Sequence, residues 1–372
     1  MRKVFASGNI AVAEAAMTAG LKFYAGYPIT PSSDLMEYLA EELPRRGGVI
    51  IQMEDEIASI NAIIGASNAG VKSMTATSGP GLSLMAEGIG LAVITETPIV
   101  IAHIMRAGPS TGVPTKTTQS DVFMVRWLTH GDYIIPSFAP WSVQEAFDLT
   151  IKAFNTSEKL RTPVFILSDA ILAHVWEPLV VKEPGEVEII ERKTPRSKEG
   201  YVPYLPDEDL VPPMAPFGKG YKVLVESLAH DEKGYYAPNN EKYKQLVTRL
   251  NAKITRSIDW LFEYEGFFLD DSDIVLVAYG SVARTVFALA KQLRSSGLRT
   301  GLFRPKTLWP LHEKVIRERI KGRKVIVVEN NIGKLALDVE RILRDKEVYK
   351  APVLNLESPT LKEVKEAVTQ WL

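Results

Sequence analysis

One carboxylic acid in the sequence has a setting that suits proton transfer. Glu56 opens a stretch of helical periodicity and shares its apolar face with Ile60 and Ile63. Burial of a carboxyl group on such a face raises its pKa, which favours proton exchange with a ligand. The alternative is that Glu56 only stabilises the helix N-terminus electrostatically. Glu54, two residues earlier, projects elsewhere and is expected to be solvated.

Thr30 is a second candidate because proline follows it. Threonine before proline is typical of a helix N-cap with proline at the first helical position, and an amphipathic stretch runs from about Asp34 to Leu43. The free N–H groups of the first turn, with the Thr30 hydroxyl, could bind a carboxylate or a phosphate. An ordinary cap is the alternative.

Two further segments follow apolar runs. Arg106 ends the run Ile99–Met105, which places a guanidinium either to bind a carboxylate or to form a structural ion pair. Ser78-Gly79-Pro80-Gly81 could let its backbone approach a ligand closely, or could form a simple tight turn. It matches neither a dinucleotide fingerprint nor a P-loop.

The elements that must position these residues read as βα units around a parallel sheet, so the fold class is α/β. The predicted strands are Phe23–Gly26, Val49–Gln52, Ser73–Thr77, Ile99–Met105, Tyr133–Pro136 and Val164–Ser168. Ser142–Glu145 has the pattern of a capping box, which predicts a helix to about Phe154. Ligands bind beyond the carboxyl ends of parallel strands, and this is where all four candidate segments fall.

The sequence divides into three parts. Residues 1–180 form the first α/β domain, and residues 181–268 form a connecting segment with clustered proline and tyrosine and one helix over about Asn240–Tyr264. Residues 269–372 form a smaller α/β domain, whose predicted strands are Ile274–Ala278, Thr300–Phe303 and Lys324–Glu329.

Composition excludes several functions. The 372 residues are 46% apolar and carry 44 basic and 45 acidic side chains, so nothing indicates binding to nucleic acid or to an anionic membrane. Neither a membrane-spanning run nor a secretory signal is present, and a cytoplasmic protein is expected. The absence of cysteine excludes thiolate metal sites and cysteine-held clusters in this chain. The five histidines have no metal-ligand spacing, and His103 is expected in the core.

Together, four motifs resemble the alpha subunit of 2-oxoacid:ferredoxin oxidoreductases, most closely the 2-oxoglutarate type. The motifs are Tyr27-Pro28-Ile29-Thr30-Pro31, Gln52–Ser59, Thr77-Ser78-Gly79-Pro80-Gly81 and Arg106–Gly112. The resemblance covers essentially the whole chain. It implies a thiamine-enzyme pyrimidine-type domain, with a parallel sheet and helices on both faces, and a smaller domain like the C-terminal domain of transketolase.

The resemblance also implies a reaction and residue roles. A 2-oxoacid, coenzyme A and oxidised ferredoxin would become acyl-CoA, carbon dioxide and reduced ferredoxin, with thiamine diphosphate as cofactor. Glu56 would hydrogen-bond N1′ of the aminopyrimidine, and Ser78 and Gly79 would line the ring end of the cofactor. Thr30 would contact the keto acid near its carbonyl, and Arg106 would bind its carboxylate.

Partner subunits are implied by what this chain lacks. Thiamine enzymes hold the diphosphate through Mg²⁺ at a Gly-Asp-Gly stretch; here Gly131-Asp132 is followed by Tyr133. The resemblance therefore implies a beta subunit that brings the diphosphate site, Mg²⁺ and a [4Fe-4S] cluster. A separate gamma subunit is expected because the first unit starts at about Gly8, and a ferredoxin-like delta subunit is expected as well.

The identity of the substrate remains open between several 2-oxoacids. Lys116 could meet the distal carboxylate of 2-oxoglutarate, or it could be an ordinary surface lysine. Pyruvate or a branched-chain 2-oxoacid is the alternative within the family. A non-oxidative thiamine enzyme would usually hold both half-sites in one chain, and a non-catalytic scaffold subunit is the alternative from another class.

Overall fold

Strands and helices alternate along most of the computed structural model, which describes residues 1–372. The strands are β1 (Arg2–Ser7), β2 (Phe23–Gly26), β3 (Val49–Gln52), β4 (Ser73–Thr77), β5 (Ile99–Met105), β6 (Ser137–Phe138), β7 (Pro163–Asp169), β8 (Trp176–Val181), β9 (Tyr264–Phe267), β10 (Ile274–Val277), β11 (Thr300–Pro305), β12 (Thr307–Trp309), β13 (Lys324–Glu329) and β14 (Glu347–Pro352). The helices are α1 (Gly8–Thr18), α2 (Ser33–Glu42), α3 (Glu56–Asn68), α4 (Pro80–Leu84), α5 (Ala86–Ile94), α6 (Val122–Arg126), α7 (Val143–Leu160), α8 (Ala170–His174), α9 (Asn240–Thr255), α10 (Ile258–Leu261), α11 (Val282–Ser295), α12 (Glu313–Arg319), α13 (Lys334–Ile342) and α14 (Leu361–Thr369).

The first domain is built on a seven-stranded sheet in the order β12-β6-β7-β5-β4-β2-β3. All neighbouring strands run parallel except β12, which pairs antiparallel with β6. The strands β2, β3, β4 and β5 have the predicted bounds, and β7 extends one residue beyond its prediction at each end. The predicted parallel α/β fold is therefore confirmed.

One predicted strand of this sheet is wrong. Tyr133–Pro136 is irregular, and pairing with β7 begins only at Ser137. Pro136 has no N–H to donate, and only its carbonyl contacts β7, where it accepts from the Phe165 N–H at 2.9 Å. The Tyr133 hydroxyl accepts a hydrogen bond from the Thr129 backbone N–H at 2.9 Å. Tyr133 and Ile135 are buried and Ile134 is partly buried without belonging to a strand, which is why the composition of this run resembles one.

The two faces of the seven-stranded sheet pack into different cores. Residues of β5 such as Val100 and Ala102 pack with α1 and α7 on one face. The alternate residue Ile101 packs on the other face with α3, α5 and side chains of the second domain, including Phe303 and Val327. This alternation follows from the two-residue period of a strand. The second domain therefore shares a hydrophobic core with the first.

The second domain is a five-stranded sheet in the order β14-β13-β10-β11-β9. Its strands are parallel except β9, which pairs antiparallel with β11. Because β9 spans Tyr264–Phe267, this sheet begins a few residues before the predicted boundary at residue 269. The helix predicted over about Asn240–Tyr264 ends at Thr255, because the chain turns through α10 and then enters β9.

The connecting segment is anchored at the amino ends of the strands. Buried Glu96, just before β5, accepts hydrogen bonds from Arg249 at 2.6 and 2.8 Å and from the Lys253 ammonium at 2.8 Å. Arg161, just before β7, donates to the Pro212 carbonyl at 3.0 Å. The segment thus lies at the amino ends of the strands, opposite to the carboxyl ends where ligands are expected. No helix in the structure is long and apolar enough to cross a bilayer.

Candidate active site

Helix α3 places Glu56 in the protein interior. The Asp55 side chain caps the helix by accepting a hydrogen bond from the Ala58 N–H at 2.7 Å. Glu56, the first helical residue, is only 4% exposed, and Ile60 and Ile63 on the same face are fully buried. Glu54 is exposed. The predicted contrast between the two glutamates is confirmed.

Burial raises the pKa of the Glu56 carboxyl above its ordinary value, and the neighbouring Asp55 charge acts in the same direction. The backbone N–H of Glu56 and the Arg106 guanidinium lower the pKa, but by less than burial raises it. The folded protein therefore favours the protonated form of this carboxyl more than water does. A carboxylic acid in this state can donate a hydrogen bond to a ring nitrogen.

Gly81 lies directly against this carboxyl, at a position where a side chain does not fit. A Cβ atom built at Gly81 would overlap Oε1 of Glu56 and Oγ1 of Thr77. The hydroxyls of Thr77 and Ser78 are buried and have no hydrogen-bond partner within the chain. An alanine could not replace Gly81 without moving Glu56. The predicted close approach of this turn to a ligand stays a prediction.

Arg106 brings three of the candidate segments together. Its Nη1 donates to the Thr30 carbonyl at 2.8 Å and its Nη2 to the Thr111 carbonyl at 3.1 Å, whereas its Nε is buried without a partner. A Cβ at Gly79, where φ is 45°, would lie 3.0 Å from Nε. Burial lowers the pKa of Arg106, and the Glu56 and Asp121 charges oppose that shift. The free Nε is a donor that a bound carboxylate would satisfy.

The prediction that Thr30 is an N-cap is wrong. Helix α2 begins at Ser33, and its N-cap is Ser32. The N–H and the hydroxyl of Ser32 both donate to the Ile29 carbonyl at 2.8 Å, so a turn precedes the helix and displaces its start beyond Thr30 and Pro31. The Thr30 side chain is exposed beside the Arg106 guanidinium, and it remains free to contact a ligand.

Beyond Arg106 the site opens into a cavity of about 430 Å³ between the two domains. Its lining residues are Gly79, Pro80, Ser83, Arg106, Ala107, Gly108, Pro109, Ser110, Ser120, Asp121, Met124 and Lys334. Asp121 is the single carboxylate among them and is bonded to His103 at 2.9 Å. His103 itself is fully buried, which confirms its predicted place in the core.

Gln119, which the sequence analysis missed, attaches the segment after β5 to the second domain. Its side chain donates to the Tyr279 carbonyl at 2.9 Å and accepts from the Asn330 N–H at 3.0 Å. Its backbone N–H donates to the Asn330 carbonyl at 2.9 Å, and its carbonyl accepts from the Asn331 amide at 2.9 Å. These partners lie at the carboxyl ends of β10 and β13, a contact between distant parts of the sequence that local periodicity cannot reveal.

Lys116 lies apart from the other candidate residues. Its ammonium forms an ion pair with Glu357 of the second domain, and its side chain is 39% exposed. It does not line the cavity beyond Arg106. A role for Lys116 in substrate binding therefore stays a prediction without support from its position.

The arrangement combines a carboxyl of raised pKa, a glycine packed against that carboxyl, and a buried guanidinium whose Nε has no hydrogen-bond partner. These groups suit a heterocyclic cofactor at Glu56 and a carboxylate at Arg106. No group of three or more His, Asp and Glu side chains is placed to hold a metal ion.

Comparison with known families gives two matches in order along the chain. Residues 14–249 match the family described as pyruvate flavodoxin/ferredoxin oxidoreductase, thiamine diphosphate-binding. Residues 272–359 match pyruvate:ferredoxin oxidoreductase core domain II. All the candidate residues from Thr30 to Lys116 fall within the first match.

Curated relatives point the same way. The chain is 47% identical over 347 residues to 2-oxoglutarate synthase subunit KorA of Methanocaldococcus jannaschii, covering 93% of each protein. It is 41% identical over 336 residues to the KorA subunit of Archaeoglobus fulgidus, covering 90% of each. Ketoisovalerate oxidoreductase subunit VorB of Methanothermobacter thermautotrophicus is 35% identical over 333 residues, covering 89% of this chain and 87% of that one.

Two solved structures are similar. One is 2-oxoglutarate:ferredoxin oxidoreductase from Magnetococcus marinus, with 2-oxoglutarate, coenzyme A and succinyl-CoA bound; it matches 98% of this chain with a TM-score of 0.92 and 33% identity. This chain spans 65% of that one. A split-gene transketolase matches 98% of both chains with a TM-score of 0.54 and 16% identity, which indicates a shared fold.

Proposed function

The chain belongs to the 2-oxoacid:ferredoxin oxidoreductase family, and on that basis we propose that it is the alpha subunit of an enzyme that oxidises 2-oxoglutarate. In the reaction, 2-oxoglutarate, coenzyme A and two oxidised ferredoxins become succinyl-CoA, carbon dioxide, two reduced ferredoxins and a proton. The observation that best supports this role is the buried Glu56 carboxyl, whose pKa is raised and which packs directly against Gly81.

Thiamine diphosphate fits the residues around Glu56. The unpartnered hydroxyls of Thr77 and Ser78 would provide polar contacts to the cofactor, and Gly81 lets the backbone of this turn lie directly against the Glu56 carboxyl. The cofactor would supply an electron sink for the bond broken in decarboxylation. Glu56 would share a proton with N1′ of the aminopyrimidine, and Ser78 and Gly79 would line the ring end.

Arg106 and Thr30 would bind the 2-oxoacid. The free Nε of Arg106 would donate to the carboxylate that is later lost as carbon dioxide, and the exposed Thr30 hydroxyl would contact the neighbouring carbonyl. Two carbonyl groups of the protein already hold the other guanidinium nitrogens, so the donor is oriented before substrate arrives. This preorganisation reduces the entropic cost of binding.

The remaining parts of the enzyme are proposed for other subunits. The chain has neither cysteine nor a Gly-Asp-Gly stretch, so the diphosphate site, Mg²⁺ and the [4Fe-4S] clusters are assigned to partners. We assign the diphosphate, Mg²⁺ and a cluster to a beta subunit, and expect gamma and ferredoxin-like delta subunits. Ferredoxin would be the electron acceptor.

The test is to purify the chain together with its associated subunits and assay a panel of 2-oxoacids for coenzyme A-dependent viologen reduction. We expect 2-oxoglutarate to give the highest kcat/KM, with 2-oxoisovalerate and pyruvate below it, since identity to KorA exceeds identity to VorB. A preference for 2-oxoisovalerate or pyruvate would reject the proposed substrate. A complex without activity on any 2-oxoacid would reject the enzymatic role.

A further inference from the structure

We propose that Lys334 of the second domain binds the distal carboxylate of the 2-oxoacid and so selects a dicarboxylic substrate. This inference rests on the proposed function, because it assumes that Arg106 binds the carboxylate next to the keto group. It concerns the cavity of about 430 Å³ that has Arg106 and Lys334 as its two basic lining residues.

The position of Lys334 is fixed by contacts on both its backbone and its side chain. Its N–H donates to the Asn331 side chain at 2.9 Å at the start of α13. Its ammonium donates to the Ser120 carbonyl at 2.6 Å, across the boundary between the domains. An ammonium has three donors, so that contact leaves two for a ligand.

The charges of the cavity favour an anion. The two cations of the lining, Arg106 and Lys334, outnumber Asp121, the one acidic lining residue, whose side chain is bonded to His103. The hydroxyls of Ser83 and Ser110 add neutral donors to the same wall. A carboxylate that leaves water for such a site needs a cationic partner. With Arg106 bound to the carboxylate next to the keto group, Lys334 is the remaining basic residue of the lining.

Lys116 is the competing assignment, since its two interpretations from the sequence are a partner of the distal carboxylate and an ordinary surface lysine. Its ammonium is paired with Glu357 and its side chain lies outside the cavity lining. To bind substrate it would have to give up that pair and move. Lys334 needs no such rearrangement.

The experiment compares substrates that differ by the distal carboxylate. In the assembled enzyme, kcat/KM is measured for 2-oxoglutarate and for 2-oxobutyrate, with wild type, Lys334→Met, Lys334→Arg and Lys116→Met. We expect Lys334→Met to lower the ratio of the two kcat/KM values about tenfold or more, since a hydrogen bond to a charged group is lost. Lys334→Arg should restore much of that ratio. Lys362→Met, which removes a lysine whose side chain is 85% exposed, is the matched control.

Three results with the two 2-oxoacids would overturn the inference. They are an unchanged ratio in Lys334→Met, an equal fall for both substrates, and a change of ratio in Lys116→Met alone. A rise confined to the KM of coenzyme A would also reject it, because the cavity would then serve a phosphate group. Failure of the proposed function is distinguishable, since wild type itself would then not turn over 2-oxoglutarate.

Discussion

Two buried ionisable residues of opposite charge, Glu56 and Arg106, lie in the candidate site. Burial raises the pKa of the first and lowers that of the second, and each charge opposes the shift of the other. Glu56 therefore keeps its proton to a higher pH than an exposed glutamate does. Arg106 stays charged throughout the physiological range because a guanidinium starts from a very high pKa.

Replacement of Arg106 by lysine keeps the charge but removes the planar fork. Because one ammonium cannot hold the Thr30 and Thr111 carbonyls and also face a carboxylate, we expect KM for the 2-oxoacid to rise about tenfold or more. Steady-state kinetics of the assembled enzyme measure this. Arg344→Lys, at an exposed arginine, should leave KM unchanged. An Arg106→Lys enzyme with the wild-type KM would show that Arg106 does not bind substrate.

The raised pKa of Glu56 makes a second prediction, which concerns stability. A folded-state pKa above the ordinary value of 4.5 means that the folded protein binds more protons, so the Glu56 contribution to stability falls as pH rises between the two values. In the cofactor-free complex, Glu56→Gln should raise the midpoint of thermal unfolding at pH 8. Calorimetry should find that this gain disappears as pH approaches 4.5. A gain that grows on acidification would contradict the pKa direction.

At the scale of secondary structure, the turns after the strands determine which side chains meet. Strands β2 to β5 were predictable because their apolar runs end in glycine or polar residues that stop pairing. The N-cap of α2 was not, because Thr30-Pro31 and Ser32-Ser33 are both plausible caps and only the turn closed on Ile29 decides between them. Similarly, an apolar run before Pro136 resembles a strand until its hydrogen-bond partners are known.

The turn after β4 allows a direct test of how a turn residue positions a side chain of the site. Gly81→Ala places a methyl group against the Glu56 carboxylate and the Thr77 hydroxyl. We expect kcat to fall about a hundredfold, because displacement of a catalytic group by roughly 1 Å has effects of that size. Gly65→Ala, where an added Cβ meets nothing within 4 Å in α3, should retain activity. Equal activity of the two variants would mean that the close contact between Gly81 and Glu56 has no role in catalysis.

At the scale of the whole molecule, the second domain packs against the candidate site of the first. Gln119 attaches the segment after β5 to the ends of β10 and β13 through four hydrogen bonds. Lys334 extends the same contact through Ser120. The sequence predicted both domains separately, but their contact depends on residues 211 positions apart, such as Gln119 and Asn330, and no local pattern reports such a distance.

Gln119→Leu tests this coupling between the domains. The substitution leaves the Tyr279 carbonyl and the Asn330 N–H buried without partners, at a cost of about 1–3 kcal/mol for each group. We expect the midpoint of thermal unfolding to fall by about 4 °C or more, and hydrogen exchange to increase over residues 106–121. Gln292→Leu, at an exposed glutamine, should change neither. Unaltered exchange in this segment would show that the second domain does not hold it.

The most direct test of the account replaces Glu56 by glutamine in the assembled enzyme. The substitution keeps the shape of the side chain but removes the transferable proton, so kcat for 2-oxoglutarate should fall about a hundredfold or more. The complex should still assemble, and Glu54→Gln, the same change at an exposed neighbour, should keep full activity. A Glu56→Gln complex that reduces viologen at a rate near that of wild type would contradict the assignment and favour a scaffold role for this chain.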